Sequence, residues 1–181
     1  MTLLYEAAED SYFLEQEVKK QSKGKSVLDM GSGSGIIAVA AKEAGAKSVL
    51  AVDINPDAIK LIQSKEIKAR VSNLFSKIKQ SEKFDLIIFN PPYLPEDKRE
   101  PKESSRATSG GKRGDEIIIR FLKQAKPHLN KDGKILLLLS SLTPKNEINL
   151  LMKELNLKSK AIASKKLFFE ELEVLELGNN K

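Results

Sequence analysis

The chain has 181 residues, 40% hydrophobic and 31% charged, with no cysteine, one histidine and a formal net charge of +6. That balance describes one folded, water-soluble domain and excludes disulfide frameworks, cysteine-held zinc, thiol nucleophiles and histidine-based triads. The longest fully apolar run, Ile135 to Leu139, is far short of the roughly 20 residues that span a bilayer, and the acidic start, Met1 to Asp10, lacks a signal-peptide pattern. A cytoplasmic location is the resulting expectation. The positive charge is spread over lysine-rich faces rather than gathered in a tract, which argues for solvated surfaces more than for a nucleic-acid groove.

Taken in chain order, apolar runs alternate with helical patterns, as in a parallel sheet covered by helices. Asp10 to Lys20 carries Phe13, Leu14 and Val18 at helical spacing, with Asp10 placed to cap. Ser26 to Met30 reads as a strand that runs into Gly31-Ser32-Gly33-Ser34-Gly35, followed by a helix from Ile36 to Ala44 closed by Gly45. Ser48 to Asp53 is the second strand. Asn55-Pro56-Asp57 then opens a helix as cap, first-turn proline and first-turn acid. A weaker strand covers Lys68 to Asn73, and Phe84 to Phe89 is a buried-type strand ending at Asn90-Pro91-Pro92-Tyr93.

The polar segment Leu94 to Gly114 is longer than a compact domain usually leaves unstructured, which makes it a functional candidate. A helix is expected from Asp115 to about Leu129, then a turn at Asp132-Gly133 into the strand Lys134 to Ser140. A helix over Asn146 to Leu155 and extended segments at Leu157–Ser164 and Leu172–Leu177 complete the pattern. His128, near a helix C-terminus, reads as a solvated or dipole-facing residue. The whole chain, 1–181, is expected to be a single α/β domain, with residues 1–25 as a helical extension and no separate substrate domain.

Three motifs fall at strand ends. The glycines at 31, 33 and 35 recur at every second position, unlike the dinucleotide fingerprint, and Asp29 stands two places before the first. An acid there repels a pyrophosphate and attracts a cationic amino-acid group. Asp53, at the end of the second strand, is placed to take two ribose hydroxyls. Asn90-Pro91-Pro92-Tyr93 lies where open α/β sheets bind ligands. The Asn90 carbonyl and a proline carbonyl can accept both hydrogens of a planar NH₂ group, and Tyr93 can stack on the substrate. That is catalysis by orientation.

With these residues in order, the sequence resembles the class I S-adenosylmethionine-dependent methyltransferases. Within them it is similar to the HemK-type glutamine methyltransferases in their short archaeal and eukaryotic form. Tyr5-Glu6-Ala7-Ala8-Glu9-Asp10-Ser11 resembles the family's N-terminal signature, with Ala7 where proline is usual. Asn73-Leu74-Phe75 stands where the family has Asp-Leu-Phe, and Ser109-Gly110-Gly111, Gly114-Asp115-Glu116 and Ser140-Ser141-Leu142 match later segments. The resemblance implies a Rossmann-like, mostly parallel seven-stranded sheet with helices on both faces, and S-adenosylmethionine as cofactor. It implies that Ser11, Asp29, Gly31, Gly33, Asp53, Asn73, Leu74 and Asn90 line the cofactor site, and that Asn90, Pro91, Pro92 and Tyr93 form the transfer site. No metal is expected.

The acceptor implied by the resemblance is the side-chain amide of glutamine in the Gly-Gly-Gln tripeptide of a translation release factor. The exocyclic amine of adenine in nucleic acid suits the same tetrapeptide, lysine of a protein is a further acceptor among similar enzymes, and a non-catalytic binding module is the reading from another class. The loop nearest the transfer motif carries as many acids as bases, six of each over residues 96–116, so it offers no basic groove. The resemblance also implies a small zinc-binding activator subunit paired along a sheet edge, for which Lys68 to Asn73 is the candidate edge, and hence a heterodimer.

Overall fold

The computed structural model describes residues 9–93 and 109–179. Residues Tyr5 to Ala8 of the N-terminal signature, and 94–108 of the long polar segment, lie outside the described residues. The elements run α1 (Glu9–Gln21), β1 (Ser26–Met30), α2 (Ile36–Glu43), β2 (Ser48–Asp53), α3 (Pro56–Ser64), β3 (Lys68–Val71), β4 (Phe84–Phe89), α4 (Glu116–Ala125), a 3₁₀ turn (Lys126–His128), β5 (Leu129–Ser140), α5 (Asn146–Glu154), β6 (Leu157–Lys166) and β7 (Glu171–Asn179). Seven strands form one sheet in the order β3-β2-β1-β4-β5-β7-β6. β1 to β5 pair in parallel, and β7 enters antiparallel between β5 and β6.

Alternation along the central strands builds a core on each face. Leu28, Met30, Ile87, Phe89, Ile135 and Leu137 face α4 and α5 and pack with Ile118, Phe121 and Ile148. Their neighbours Val27, Leu86, Ile88, Leu136 and Leu138 face α1 and α2 and pack with Phe13, Leu14, Val18 and Ile37. On α2 the residues against the sheet include Ala38, Ala40 and Ala41, all buried, so the layer between helix and strands is thin. Among the described residues no helix is long and apolar enough to cross a membrane.

Several local expectations are corrected. Asp10 does not cap α1 from outside; it sits within the first turn and is buried. The helix expected to reach Leu129 ends at Ala125, because Pro127 lacks an amide hydrogen and the chain tightens into the 3₁₀ turn. β5 begins at Leu129 instead of after a turn at Asp132-Gly133: Gly133 lets the strand pass against the Phe84 carbonyl, and the pairing with β4 shifts register there. β3 stops at Val71, short of Asn73. His128 is not solvated. It is buried, stacks on Phe75 with ring centroids 4.8 Å apart, and its Nδ1–H donates to the Glu82 carbonyl at 2.9 Å.

At the N-terminal end of the sheet one carboxylate joins three strands. Asp85 Oδ2 accepts from the Ser26 N–H and the Ser26 hydroxyl, each at 2.8 Å, and Oδ1 accepts from Asn130 Nδ2 at 2.6 Å. The Ser26 N–H, with help from Asn130, holds the Asp85 carboxyl below the usual aspartate range. Its stabilisation is therefore complete above the unfolded pKa of about 4 and disappears as pH falls through the lower folded value. Asp85→Ala should cost about 2 kcal/mol by stranding these donors, lowering the melting temperature by roughly 4–8 °C for a domain of this size. Thermal melts at pH 7 and pH 3 check both statements: the gap between wild type and variant should narrow at the lower pH.

Candidate active site

The strand order reverses between β1 and β4, and the crevice of an open parallel sheet lies beyond the C-terminal ends of strands at that point. β1 ends at Asp29-Met30 and hands over to the glycine turn. Gly31, Gly33 and Gly35 all take positive φ, of 65°, 50° and 80°. A Cβ at Gly35 would meet Ile62 Cγ1 at 2.7 Å, so the turn is pressed onto α3 and accepts no side chain. Ser32 anchors the turn from within: its hydroxyl donates to the carbonyls of Asp29 and Val52, at 3.0 and 3.1 Å.

Asp53, half-buried at the end of β2, accepts from the Gly33 N–H through Oδ2 and from the Asn55 N–H through Oδ1, each at 2.8 Å. Asn55 in turn caps α3 by accepting from the Asp57 N–H at 2.9 Å. The glycine turn and the β2 end are thus joined through a single carboxylate, with one lone pair engaged on each oxygen. Asp29 behaves differently. It is buried, its Oδ2 has no hydrogen-bond partner, and burial, with the Asp53 charge second, pushes its carboxyl up to about 8. A buried acid in this state has unmet capacity for a cation or a hydrogen-bond donor.

β4 delivers the third motif. Asn90 Nδ2 donates to Asp10 Oδ2 at 3.1 Å and to Ser11 Oγ at 3.3 Å, which draws the start of α1 against the end of β4. The Asn90 Oδ1 atom is buried and has no hydrogen-bond partner. Pro91 is buried and Pro92 half-buried. Gly110 returns so close to Pro92 that a Cβ there would fall 2.7 Å from the Pro92 carbonyl oxygen, and Gly110 O accepts from the Ile117 N–H to start α4. Tyr93 is tied at its far end, its hydroxyl donating to Glu170 Oε1 at 3.4 Å, while Ser140 Oγ donates to Glu170 Oε2.

The structure therefore brings Ser11 to Asn90 and Gly33 to Asp53, and sets Asp29 and Gly31 at the end of β1 beside them. Asn73 and Leu74 follow β3, which is held to the β2 end by the Ser72 N–H donating to Asp53 O at 2.8 Å. Leu74 is buried in a positive-φ turn, φ 49°, and Asn73 is exposed, its carbonyl accepting from Arg120 Nη2 at 3.2 Å. Asp10 and Glu170 contact the candidate residues Asn90 and Tyr93, and neither belongs to the three strand-end motifs. Asp10 stands beside Ser11 in the N-terminal signature, where its local pattern is that of a helix cap; Glu170 carries no local signal at all. An open depression of about 480 Å³ lined by Val39, Lys42, Glu43, Lys65 and Ile67 lies at the other end of α2 and shares no residue with this cluster. Among the described residues no group of histidine, aspartate and glutamate could hold a metal ion.

Comparison with known proteins places the fold in a family. Residues 8–169 match the family model described as "Methyltransferase small domain". The "Putative protein N5-glutamine methyltransferase" of Methanocaldococcus jannaschii is 40% identical over 180 residues, covering 95% of this chain and 90% of the relative. A "Release factor glutamine methyltransferase" of Koribacter versatilis is 42% identical over 125 residues, and the chain spans only 45% of its length. Among solved structures, the E. cuniculi Mtq2-Trm112 complex, responsible for methylating the eRF1 translation termination factor, superposes with a TM-score of 0.79 at 24% identity, over 97% of this chain and 98% of the matched one. A Lactobacillus ribosomal protein L11 methylase superposes with a TM-score of 0.69 at 22% identity, over 98% of this chain and 82% of that one, so the fold itself is common to enzymes with different acceptors. The chain belongs to the methyltransferase small domain family and, through the archaeal relative it matches almost end to end, to the protein N5-glutamine methyltransferases.

Proposed function

We propose that this protein transfers a methyl group from S-adenosylmethionine to the side-chain amide nitrogen of the glutamine in a Gly-Gly-Gln segment of a translation release factor. The observation that carries the reading is the state of Asn90. Its amide nitrogen is committed to Asp10 and Ser11, which leaves a buried carbonyl oxygen in want of a donor. A primary amide offers two N–H groups in one plane, and a fixed acceptor beside a proline carbonyl can hold that plane.

The residues present fit the cofactor. Ser11, Asp29, Gly31, Gly33, Asp53, Asn73 and Leu74 would hold it. Asp29 Oδ2, which has no hydrogen-bond partner, would receive the ammonium of its amino-acid end, and Asp53 keeps a lone pair on each oxygen for the ribose hydroxyls. When bound, the group supplies an electrophilic methyl on a sulfonium. The chain's own contribution is orientation: Asn90 and the adjoining proline carbonyls hold the acceptor nitrogen, Pro91 and Pro92 remove backbone donors that would compete, and Tyr93, anchored through Glu170, covers the acceptor plane.

The same proposal includes a small zinc-binding activator subunit along the β3 edge, giving a heterodimer that works in the cytoplasm, where release factors act, with 1–181 as one catalytic unit. β3 is an outer strand of only four residues, with Val71 exposed, and Ile54 beyond the neighbouring β2 end is exposed as well. Methyl transfer from labelled cofactor, with and without the activator, should label release factor at the Gly-Gly-Gln glutamine. Label appearing only on histone lysine or on DNA adenine would overturn the acceptor, and full activity of a monodisperse protein purified alone would overturn the heterodimer.

Two substitutions test the residue roles. Asn90→Ala should lower the transfer rate by at least about 100-fold while calorimetric cofactor affinity changes little; a parallel loss of cofactor binding would reassign the residue. Asp29→Asn should weaken cofactor binding yet stabilise the ligand-free protein. The sign follows from its carboxyl, raised to about 8 against about 4 unfolded. Between those values the folded state holds a proton that the unfolded state has released, so wild-type stability falls as pH rises through that window. Melting curves of the ligand-free variant and wild type should diverge from pH 5 to pH 8, the variant melting higher.

A further inference from the structure

We infer that Asp10 is the positioning residue that sets the polarity of Asn90. This inference rests on the reading of Asn90 as the group that holds the acceptor. An asparagine side chain can present either its oxygen or its nitrogen to the acceptor, and the two orientations have nearly the same shape. Only the carbonyl orientation serves a substrate NH₂, which is itself a donor. Ser11 cannot enforce the choice, because a hydroxyl both donates and accepts. Asp10 can. Its ionised carboxylate has acceptors alone, so the Asn90 group facing it must be the NH₂.

The geometry supports a fixed rather than an incidental contact. Asp10 is buried, and both of its oxygens are used: Oδ1 accepts from the Ser11 N–H at 2.6 Å and Oδ2 from Asn90 Nδ2 at 3.1 Å. The contact spans 80 positions of sequence, joining the first turn of α1 to the loop after β4. Asp10 also brings a negative charge that Asn90-Pro91-Pro92-Tyr93 lacks. In the transfer, the acceptor nitrogen forms its bond to the methyl carbon as the carbon–sulfur bond breaks with its electron pair going to sulfur. The nitrogen then releases one proton to water. Positive charge builds on that nitrogen on the way, and a carboxylate one hydrogen-bonded amide away makes Asn90 Oδ1 a stronger acceptor just as it is needed.

Two measurements test the assignment, and the first needs no acceptor. In protein labelled with ¹⁵N at asparagine, with Asn90→Ala identifying the resonance, the Asn90 side-chain NH₂ should be shifted downfield and slow to exchange. In Asp10→Asn it should lose both features while the melting curve stays close to wild type. An Asn90 amide that looks the same in both proteins, or that already exchanges freely in wild type, would overturn the inference whatever the acceptor proves to be. The second is kinetic: Asp10→Asn should lower kcat about 10- to 100-fold, the worth of one hydrogen bond strengthened in the transition state, with cofactor affinity kept. In an Asn90→Ala background the same change should have no further effect, since its action runs through Asn90. An undiminished loss in that background would overturn it. A wild-type protein inactive on glutamine would instead count against the proposed acceptor, leaving the amide resonance to judge Asp10.

Discussion

Everything at the candidate site depends on one reversal of strand order. Because β2 and β3 extend from one side of β1 while β4 and β5 extend from the other, the loops after β1 and β4 must part in opposite directions. The crevice between them is a consequence of sheet topology and needs no special residues to exist. What the local sequence adds is compatibility with it. The glycine turn lies flat on α3, Ser32 stitches it to β2, and two consecutive prolines hold the β4 exit extended.

The crevice is also an electrostatic arrangement of three acids in three states. Asp53 accepts one backbone N–H on each oxygen and keeps a further lone pair on each. Asp29 is buried with an unpaired oxygen and is costly to ionise until a cation arrives. Asp10 spends its oxygens on the Ser11 amide and on Asn90. The chemistry assigned to each follows from its partners and not from its residue type, since all three are aspartates.

Much of this was readable in the sequence, and the boundary of what was readable has a physical cause. The bounds of β1, β2 and β4 are legible to the residue, because a short buried run that stops at a glycine turn, an acid or Asn-Pro-Pro leaves little freedom for its ends. What the sequence hides is tertiary. Asp10 has the local signature of a helix cap, and nothing within ten residues betrays an asparagine at position 90. His128 looked like an ordinary helix-end residue because Phe75 and the Glu82 carbonyl, which bury it, come from a distant part of the chain. The start of β5 is hidden because Asp-Gly favours turns, and only the passage beside Phe84 makes that glycine a strand residue. Glu170, which holds both Tyr93 and Ser140, follows two exposed phenylalanines in a hairpin and matched no motif.

The docking of α1 has a consequence for the order of events in folding. Phe13, Leu14 and Val18 share a core cluster with Leu172 and Val174 of β7, so the first helix of the sheet cover is packed partly by the last strand. A nascent chain can pair β1, β2 and β4 early, yet the helix that steadies Asn90 gains its full seat only after β7 has inserted between β5 and β6. Closing so long a loop is slow compared with the local pairings that precede it. A chain in which β7 has not yet inserted would thus carry its glycine turn and its Asn-Pro-Pro segment without the full seat of the helix that contacts Asn90.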